Sequence, residues 1–197
     1  MQKQRNKATK SNIKLIAGTW RGRKINFIEK NNLRPTKGII KETLFNLLQN
    51  YIEGSICIDM FAGSGSLGFE AASRGAKYVY MLENDKETID CLIDQKNALS
   101  AKNINIIYAD ANSFENHVQD MVDIIFLDPP FSENLLQNMI DKISSSTILK
   151  DKCKIYVEIP FTKDFLKDYK IPANWTLQRK GKSGDVSYLL LQHNMIW

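Results

Sequence analysis

Histidine is nearly absent: His117 and His193 are the only two in 197 residues, and they stand in no Cys/His ligand spacing, so a zinc site has nothing to be built from. Cysteine is almost as sparse. Cys57, Cys91 and Cys153 are odd in number, widely separated and set among apolar neighbours, which reads as reduced core thiols and excludes a disulfide framework. No run of 18 apolar residues occurs, and the Lys- and Asn-rich start has no apolar h-region; neither a membrane span nor a secretory signal is expected, and the expected location is the cytoplasm. With 43% hydrophobic and 25% charged residues, what remains is ordinary globular composition, enough for one domain with an extension.

Acidic charge is missing from the first 28 residues. Lys3, Arg5, Lys7, Lys10, Lys14, Arg21, Arg23 and Lys24 all precede the first acid, Glu29, and against a net charge of +5 this leaves −3 for the remainder. A local basic arm is the electrostatic footprint of a polyanion such as nucleic acid. For residues 1–10 a solvated lysine tail explains the charge equally well. Arg21-Gly22-Arg23-Lys24, beside Trp20 in a patterned segment, points to a partner.

Against these absences stands one dense stretch, Ile56-Cys57-Ile58-Asp59-Met60-Phe61-Ala62-Gly63-Ser64-Gly65-Ser66-Leu67-Gly68. Its β-branched apolar start suits a parallel strand buried on both faces, the glycines a tight turn, and the residues after Leu67 a helix. Strand, glycine turn and helix place backbone N–H groups at the carboxyl edge of a sheet, where nucleotide-like ligands bind. The spacing Gly63-x-Gly65-x-x-Gly68 fits both NAD and S-adenosylmethionine (SAM) enzymes, and also a ligand-free structural turn.

Along the chain, residues 1–12 read as a basic, disordered tail. Lys14–Ala17 and Arg23–Phe27 read as a small hairpin around a turn at residues 18–22, in which Trp20 is either core or a stacking ring. A helix follows, with Thr36 its N-cap and Ile40, Leu44, Leu47, Leu48 and Tyr51 on one face, ending near Gly54. Residues 13–54 thus form an extension and 55–197 the main domain. There the strand candidates are 56–60, 78–83, 105–109, 122–128 and 154–159, alternating with helices, and then 175–180 and 186–192, joined by residues 181–185 as an antiparallel hairpin. The expected class is α/β, a mainly parallel seven-stranded Rossmann-like sheet with an antiparallel C-terminal hairpin.

Three more strand ends carry chemistry. Glu83 lies 20 residues beyond Gly63, where a carboxylate meets ribose hydroxyls. Asp110-Ala111 offers an acceptor and a backbone donor for an adenine, or else a helix N-cap. Asp128-Pro129-Pro130-Phe131 follows an apolar strand; it is either a rigid turn or a clamp in which Asp128 and the Pro129 carbonyl accept from an exocyclic amine while Phe131 stacks on its base.

This tetrad resembles motif IV of amino-methylating SAM methyltransferases, and the glycine loop, Glu83 and Asp110 match their earlier motifs in order and spacing. Ile16-Ala17-Gly18-Thr19-Trp20-Arg21-Gly22-Arg23-Lys24, Leu33-Arg34-Pro35-Thr36 with Glu42-Thr43-Leu44-Phe45-Asn46, and Lys182-Ser183-Gly184-Asp185-Val186-Ser187-Tyr188 are similar to the bacterial 16S ribosomal RNA guanine-N2 methyltransferases of the RsmD type, over about residues 13–192. The resemblance implies methyl transfer from SAM to guanosine N2 within an assembling small ribosomal subunit, by a monomer without metal. Its implied contacts are Asp59, Phe61, Gly63, Gly65, Glu83, Asn84, Asp110 and Ala111 for the cofactor. Asp128, Pro129, Pro130 and Phe131 would serve catalysis, and Trp20, Arg21, Arg23, Lys24, Arg34 and Lys182 the RNA. The rivals are an adenine-N6 methyltransferase with the same tetrad, an NAD-dependent oxidoreductase, and a non-catalytic rRNA-binding protein.

Overall fold

A computed structural model describes residues 10–29, 38–130, 133–160 and 169–195. Seven strands form one sheet: β3 (Ile56–Asp59), β4 (Tyr78–Glu83), β5 (Ile104–Tyr108), β6 (Val122–Leu127), β7 (Leu149–Pro160), β8 (Trp175–Ser183) and β9 (Val186–His193). Their order is β5-β4-β3-β6-β7-β9-β8; β3 to β7 pair in parallel, and β9 is antiparallel to both β7 and β8. The sequence of strands reverses direction across the sheet at β3, and this places the glycine loop at the crevice where ligands of open α/β sheets bind.

β3 and β6 are apolar in nearly unbroken runs because both sheet faces are covered. One face packs under α1 (Gly38–Leu47), α2 (Ser66–Ser73) and α3 (Lys86–Ala98), with Phe45 of α1 meeting Phe126 of β6 at 5.8 Å between ring centroids. The other face packs under the short 3-10 helix Ala111–Asn116 and α4 (Glu133–Ser144).

Several boundaries differ from expectation. The N-terminal hairpin is β1 (Lys10–Lys14) on β2 (Lys24–Ile28), so its first strand begins within the segment read as tail and ends before Ile16. Ile16 and Ala17 cannot pair with β2, because their N–H groups donate to the Glu70 carboxylate at 2.8 and 3.0 Å. After Leu47 the chain leaves α1 in turns, which exposes half of Tyr51 rather than burying it. β7 starts at Leu149, five residues early, through an irregularity at which Lys152 adopts φ 65°. β8 and β9 extend toward each other until only Gly184 and Asp185 turn between them. The expected N-cap Thr36 lies outside the described residues.

The extension is not an independent unit. Leu15, Ile25, Ile40, Leu44 and Phe45 share one core with Cys57, Val79 and Phe126 of the sheet. Its turn is seated on the end of α2: Thr19 N–H donates to the Ser73 carbonyl at 2.7 Å, Trp20 N–H to Ser73 Oγ at 3.0 Å, and Ser73 Oγ to the Ala17 carbonyl at 2.6 Å. Gly18 is required there, since it sits at φ 79° and a Cβ would lie 1.7 Å from the Ser73 oxygen.

Candidate active site

β3, β4 and β6 end at the same sheet edge, and each delivers a carboxylate there. Asp59 closes β3 and accepts from Gly68 N–H at 3.0 Å, bracing the glycine loop from below. Glu83 closes β4; one oxygen accepts from Gly63 N–H at 2.9 Å and the other from Asn84 and Asp85 N–H at 2.9 and 3.0 Å. Glu83 therefore ties the loop to the neighbouring strand as well as facing the crevice. Gly65 holds φ 77°, and a side chain there would drive into Phe69 and Leu92; a Cβ on Gly68 would meet Met81 Sδ at 2.7 Å. Both glycines are needed for close packing of α2. Ser66, the first residue of α2, has its hydroxyl buried with no hydrogen-bond partner among the described residues, at the helix end where N–H groups point outward. An orphaned donor at a positive helix end, beside a glycine turn and a ribose-ready carboxylate, fits the carboxylate and sugar of a nucleoside-bearing amino acid.

Asp59 is almost fully buried, and burial pushes its carboxyl up to about 7 from 3.8, with Glu83 and Glu158 adding to the shift and the Gly68 and Phe61 N–H groups resisting it. The unfolded chain ionises this group near its ordinary value, whereas the folded chain keeps the proton until about pH 7. Raising the pH through that window favours the unfolded state. Relative to Asp59→Asn, the wild-type protein is expected to lose stability steadily from pH 4 to 7 and then hold level; denaturant midpoints of the two proteins across that range check it. Parallel curves would mean that Asp59 ionises normally.

Asp128 and Pro129 follow β6 directly. Met60 N–H donates to the Phe126 carbonyl at 3.0 Å, so β6 enters the edge pinned to the start of the glycine loop. Asp128 is half-buried, Pro129 buried and Pro130 exposed; Phe131 lies outside the described residues. Asp110 caps the 3-10 helix, its Oδ1 accepting from Asn112 N–H and Nδ2 at 2.8 and 2.9 Å, and this locks Ala111 beside the edge. The cap and the adenine reading are compatible, since the cap fixes the backbone that would read the base. Asn84 is exposed next to Glu83, and the partly buried Phe61 packs on the face under the 3-10 helix.

The expected RNA contacts are not brought together. Lys182 is exposed on β8 next to Gly181, which is opposite Tyr188, and Tyr188 in turn is opposite Glu158 of β7, so Lys182 stands at the edge that carries the strand-end carboxylates. Arg34 lies outside the described residues. Trp20 is partly buried against the core, the first of its two readings. Arg23 donates from Nη2 to the Ala98 carbonyl at 3.1 Å, at the last residue of α3, and Arg21 and Lys24 are exposed nearby on the same turn. α3 runs back from the carboxylate-bearing edge, so the C-terminus of this 13-residue helix lies ~20 Å from it. The basic turn thus sits at the opposite edge. A cleft lined by Tyr78, Tyr80, His117 and Asp120 also opens at the strand starts, away from the carboxylates.

With the glycine loop, strand-end acids and final hairpin in place, the family described as conserved hypothetical protein 95 matches residues 13–192. The chain belongs to this family. It is similar to ribosomal RNA small subunit methyltransferase D of Haemophilus influenzae, with 39% identity over 98% of this chain and 100% of the relative. Its similarity to the Escherichia coli protein of the same name is 37% over 96% and 94%. A solved Escherichia coli structure described as a candidate methyltransferase superposes with a TM-score of 0.84 at 38% identity, covering 93% of this chain and 99% of that one. A solved Haemophilus influenzae methylase gives 0.79 at 39%, covering 94% and 100%. The chain shares the Rossmann-like methyltransferase fold of these structures, and its antiparallel β8–β9 pair belongs to the same sheet as β3 and β4. The sequence raised no expectation for Ser66, Glu70, Tyr156 or Glu158, although Glu158 shares a signal with Asp59, Glu83 and Asp128, an acid near the end of an apolar strand.

Proposed function

We propose that this protein methylates ribosomal RNA of the small subunit, using SAM to modify the exocyclic N2 of a guanosine. The observation that carries the reading is the convergence of the glycine loop, Glu83 and Asp128-Pro129 on one sheet edge in a chain alignable end to end with relatives named for this reaction class. When bound, SAM supplies an electrophilic methyl group on a sulfonium, which leaves as a neutral thioether. Ser66 and the start of α2 would hold its carboxylate, Glu83 its ribose hydroxyls, and Asp110-Ala111 its adenine. Asp128 and the Pro129 carbonyl would accept the two protons of the guanine amine. That turns the N2 lone pair, otherwise delocalised into the ring, toward the methyl group. N2 gains the methyl carbon and becomes cationic, and it then loses a proton to Asp128 or water.

The RNA surface follows from the edge that the target base must reach. Lys182 and the turn at Gly184 and Asp185 flank it, so we place the primary contacts there; Arg21, Arg23 and Lys24 would touch only RNA extending a helix length away. Residues 55–197 are the transferase proper and residues 13–54 a docked extension of it.

Incubation with SAM and undermethylated small-subunit particles, followed by nucleoside mass analysis, should yield N2-methylguanosine. N6-methyladenosine would instead support the adenine reading. S-adenosylhomocysteine should bind by calorimetry and NADH should not, and Glu83→Ala should weaken that binding by about 1–3 kcal/mol, the scale for bonds to a charged group.

A further inference from the structure

Behind Asp128 stands a second carboxylate that the assignments above leave unused. β6 and β7 run parallel with Leu127 opposite Val157, so the next residues, Asp128 and Glu158, lie side by side as the strands reach the catalytic edge. Glu158 is 4% exposed. Tyr156, two residues back on the same sheet face and fully buried, donates its hydroxyl to Glu158 Oε1 at 2.8 Å. Tyr188, opposite Glu158 on β9, brings its ring within 6.3 Å of Tyr156 and lies across Gly181, where a Cβ would come 2.3 Å from its hydroxyl. Burial raises the Tyr156 hydroxyl well above its ordinary range, and the Glu158 and Asp128 charges both add to that. Glu158 also acts on Asp59. The result is a polar point, fixed by one tyrosine and walled by another, one strand further along the edge from the amine clamp.

Resting on the guanine reading above, we propose that Glu158, oriented by Tyr156, recognises the target base by accepting the guanine N1–H while Asp128 and Pro129 take the adjacent N2 amine. Guanine presents N1–H and N2–H as neighbouring donors along one edge, and two neighbouring acceptors on adjacent strands match them. Adenine presents a lone pair at N1, which would face the carboxylate unfavourably. The Tyr156 hydroxyl occupies Oε1 and so orients the Glu158 carboxylate. Glu158 is thereby the specificity residue and Tyr156 its positioning residue.

The test substitutes 2-aminopurine for guanine at the target position of a small-subunit RNA substrate. That base keeps the N2 amine but has an unprotonated N1. Wild-type protein should favour guanine in kcat/KM by roughly 10–100-fold, the range for one hydrogen bond to a charged group. Glutamine can accept from guanine N1–H or donate to the N1 of 2-aminopurine, so Glu158→Gln should shrink the preference to about threefold or less by lowering the first and raising the second. Tyr156→Phe, which keeps the ring and so the packing, should reduce the preference by roughly three- to tenfold with S-adenosylhomocysteine affinity unchanged, and it decides the matter if Glu158→Gln does not fold. Folded variants that retain the wild-type ratio, or a wild type that does not discriminate, would overturn the role of Glu158. A wild type that methylates neither base, or that methylates adenine, would overturn the guanine reading itself, a distinguishable outcome.

Discussion

Asp128→Ala should lower the rate of methyl transfer at least about a hundredfold while leaving the fold and S-adenosylhomocysteine affinity nearly intact, the signature of a contact made to the reacting group. The fold should survive because β6 is held through its backbone: Val122–Leu127 pairs in parallel on both sides, and the two prolines after it fix the backbone direction. Cofactor affinity should survive because the residues assigned to the cofactor lie on β3 and β4, in the segments after them and in the turn after β5, not on β6. What is lost is the acceptor that holds the amine with its lone pair toward the methyl group. Without it the amine stays conjugated with the ring and is misaligned. Asp128→Asn keeps a carbonyl acceptor but not the charge, so its rate should fall between the two. Single-turnover methylation of small-subunit particles at saturating SAM, with a parallel calorimetric titration, separates rate from binding. Near-normal turnover by Asp128→Ala would remove Asp128 from the reaction.

The parts of this molecule legible in the sequence are those governed by short-range pattern. β4 is found at the bounds that its apolar run and final acid indicate, and the ends of β3 and β6 fall within one residue, because buried parallel strands must be apolar on both faces and the acids mark where they reach the sheet edge. The glycine loop is legible because no other residue tolerates those backbone angles and contacts. The illegible parts depend on partners distant in sequence. Nothing in Ile16-Ala17 reveals that their N–H groups belong to a glutamate more than fifty positions later, and so β1 was placed too late. Likewise the basic run Arg21–Lys24 has the composition of an RNA contact, but its position relative to the catalytic edge follows from how the turn docks on α2 and α3. A local signal did exist for Glu70, an acid amid the buried residues of α2 with Arg74 one turn on. It is the kind of violation of pattern that marks a buried ionic contact.

That contact supports the second large effect, an expected loss of about 3–5 kcal/mol of stability in Glu70→Ala, the scale for stripping one partner from a buried charge set. Glu70 is completely buried and serves four donors: Ile16 and Ala17 N–H, Arg74 Nε at 2.7 Å and Lys41 Nζ at 3.4 Å. Lys41 is itself 2% exposed and also donates to the Lys14 carbonyl at 3.1 Å; burial lowers its pKa, and Glu70 opposes that shift. Alanine would orphan two backbone donors and leave Lys41 and Arg74 buried together without a counter-charge, with Arg74 still stacked on Phe45 at 4.8 Å from the ring centroid. A domain of this size should then melt roughly 6–20 °C lower, at about 2–4 °C per kcal/mol. Intact pairing is not itself the source of stability, since burying these charges is costly; Glu70→Gln with Lys41→Met, which keeps one acceptor oxygen and removes one cation, should therefore recover part of the loss. The effect should also be unequal along the chain. Glu70 joins α1 and the segment before it to the end of α2, so hydrogen exchange in Glu70→Ala should rise first at Leu15–Trp20 and α1, while β3 and β6 stay protected until global unfolding. Uniform loss of protection, or a melting temperature equal to wild type, would show that Glu70 is not what holds the extension.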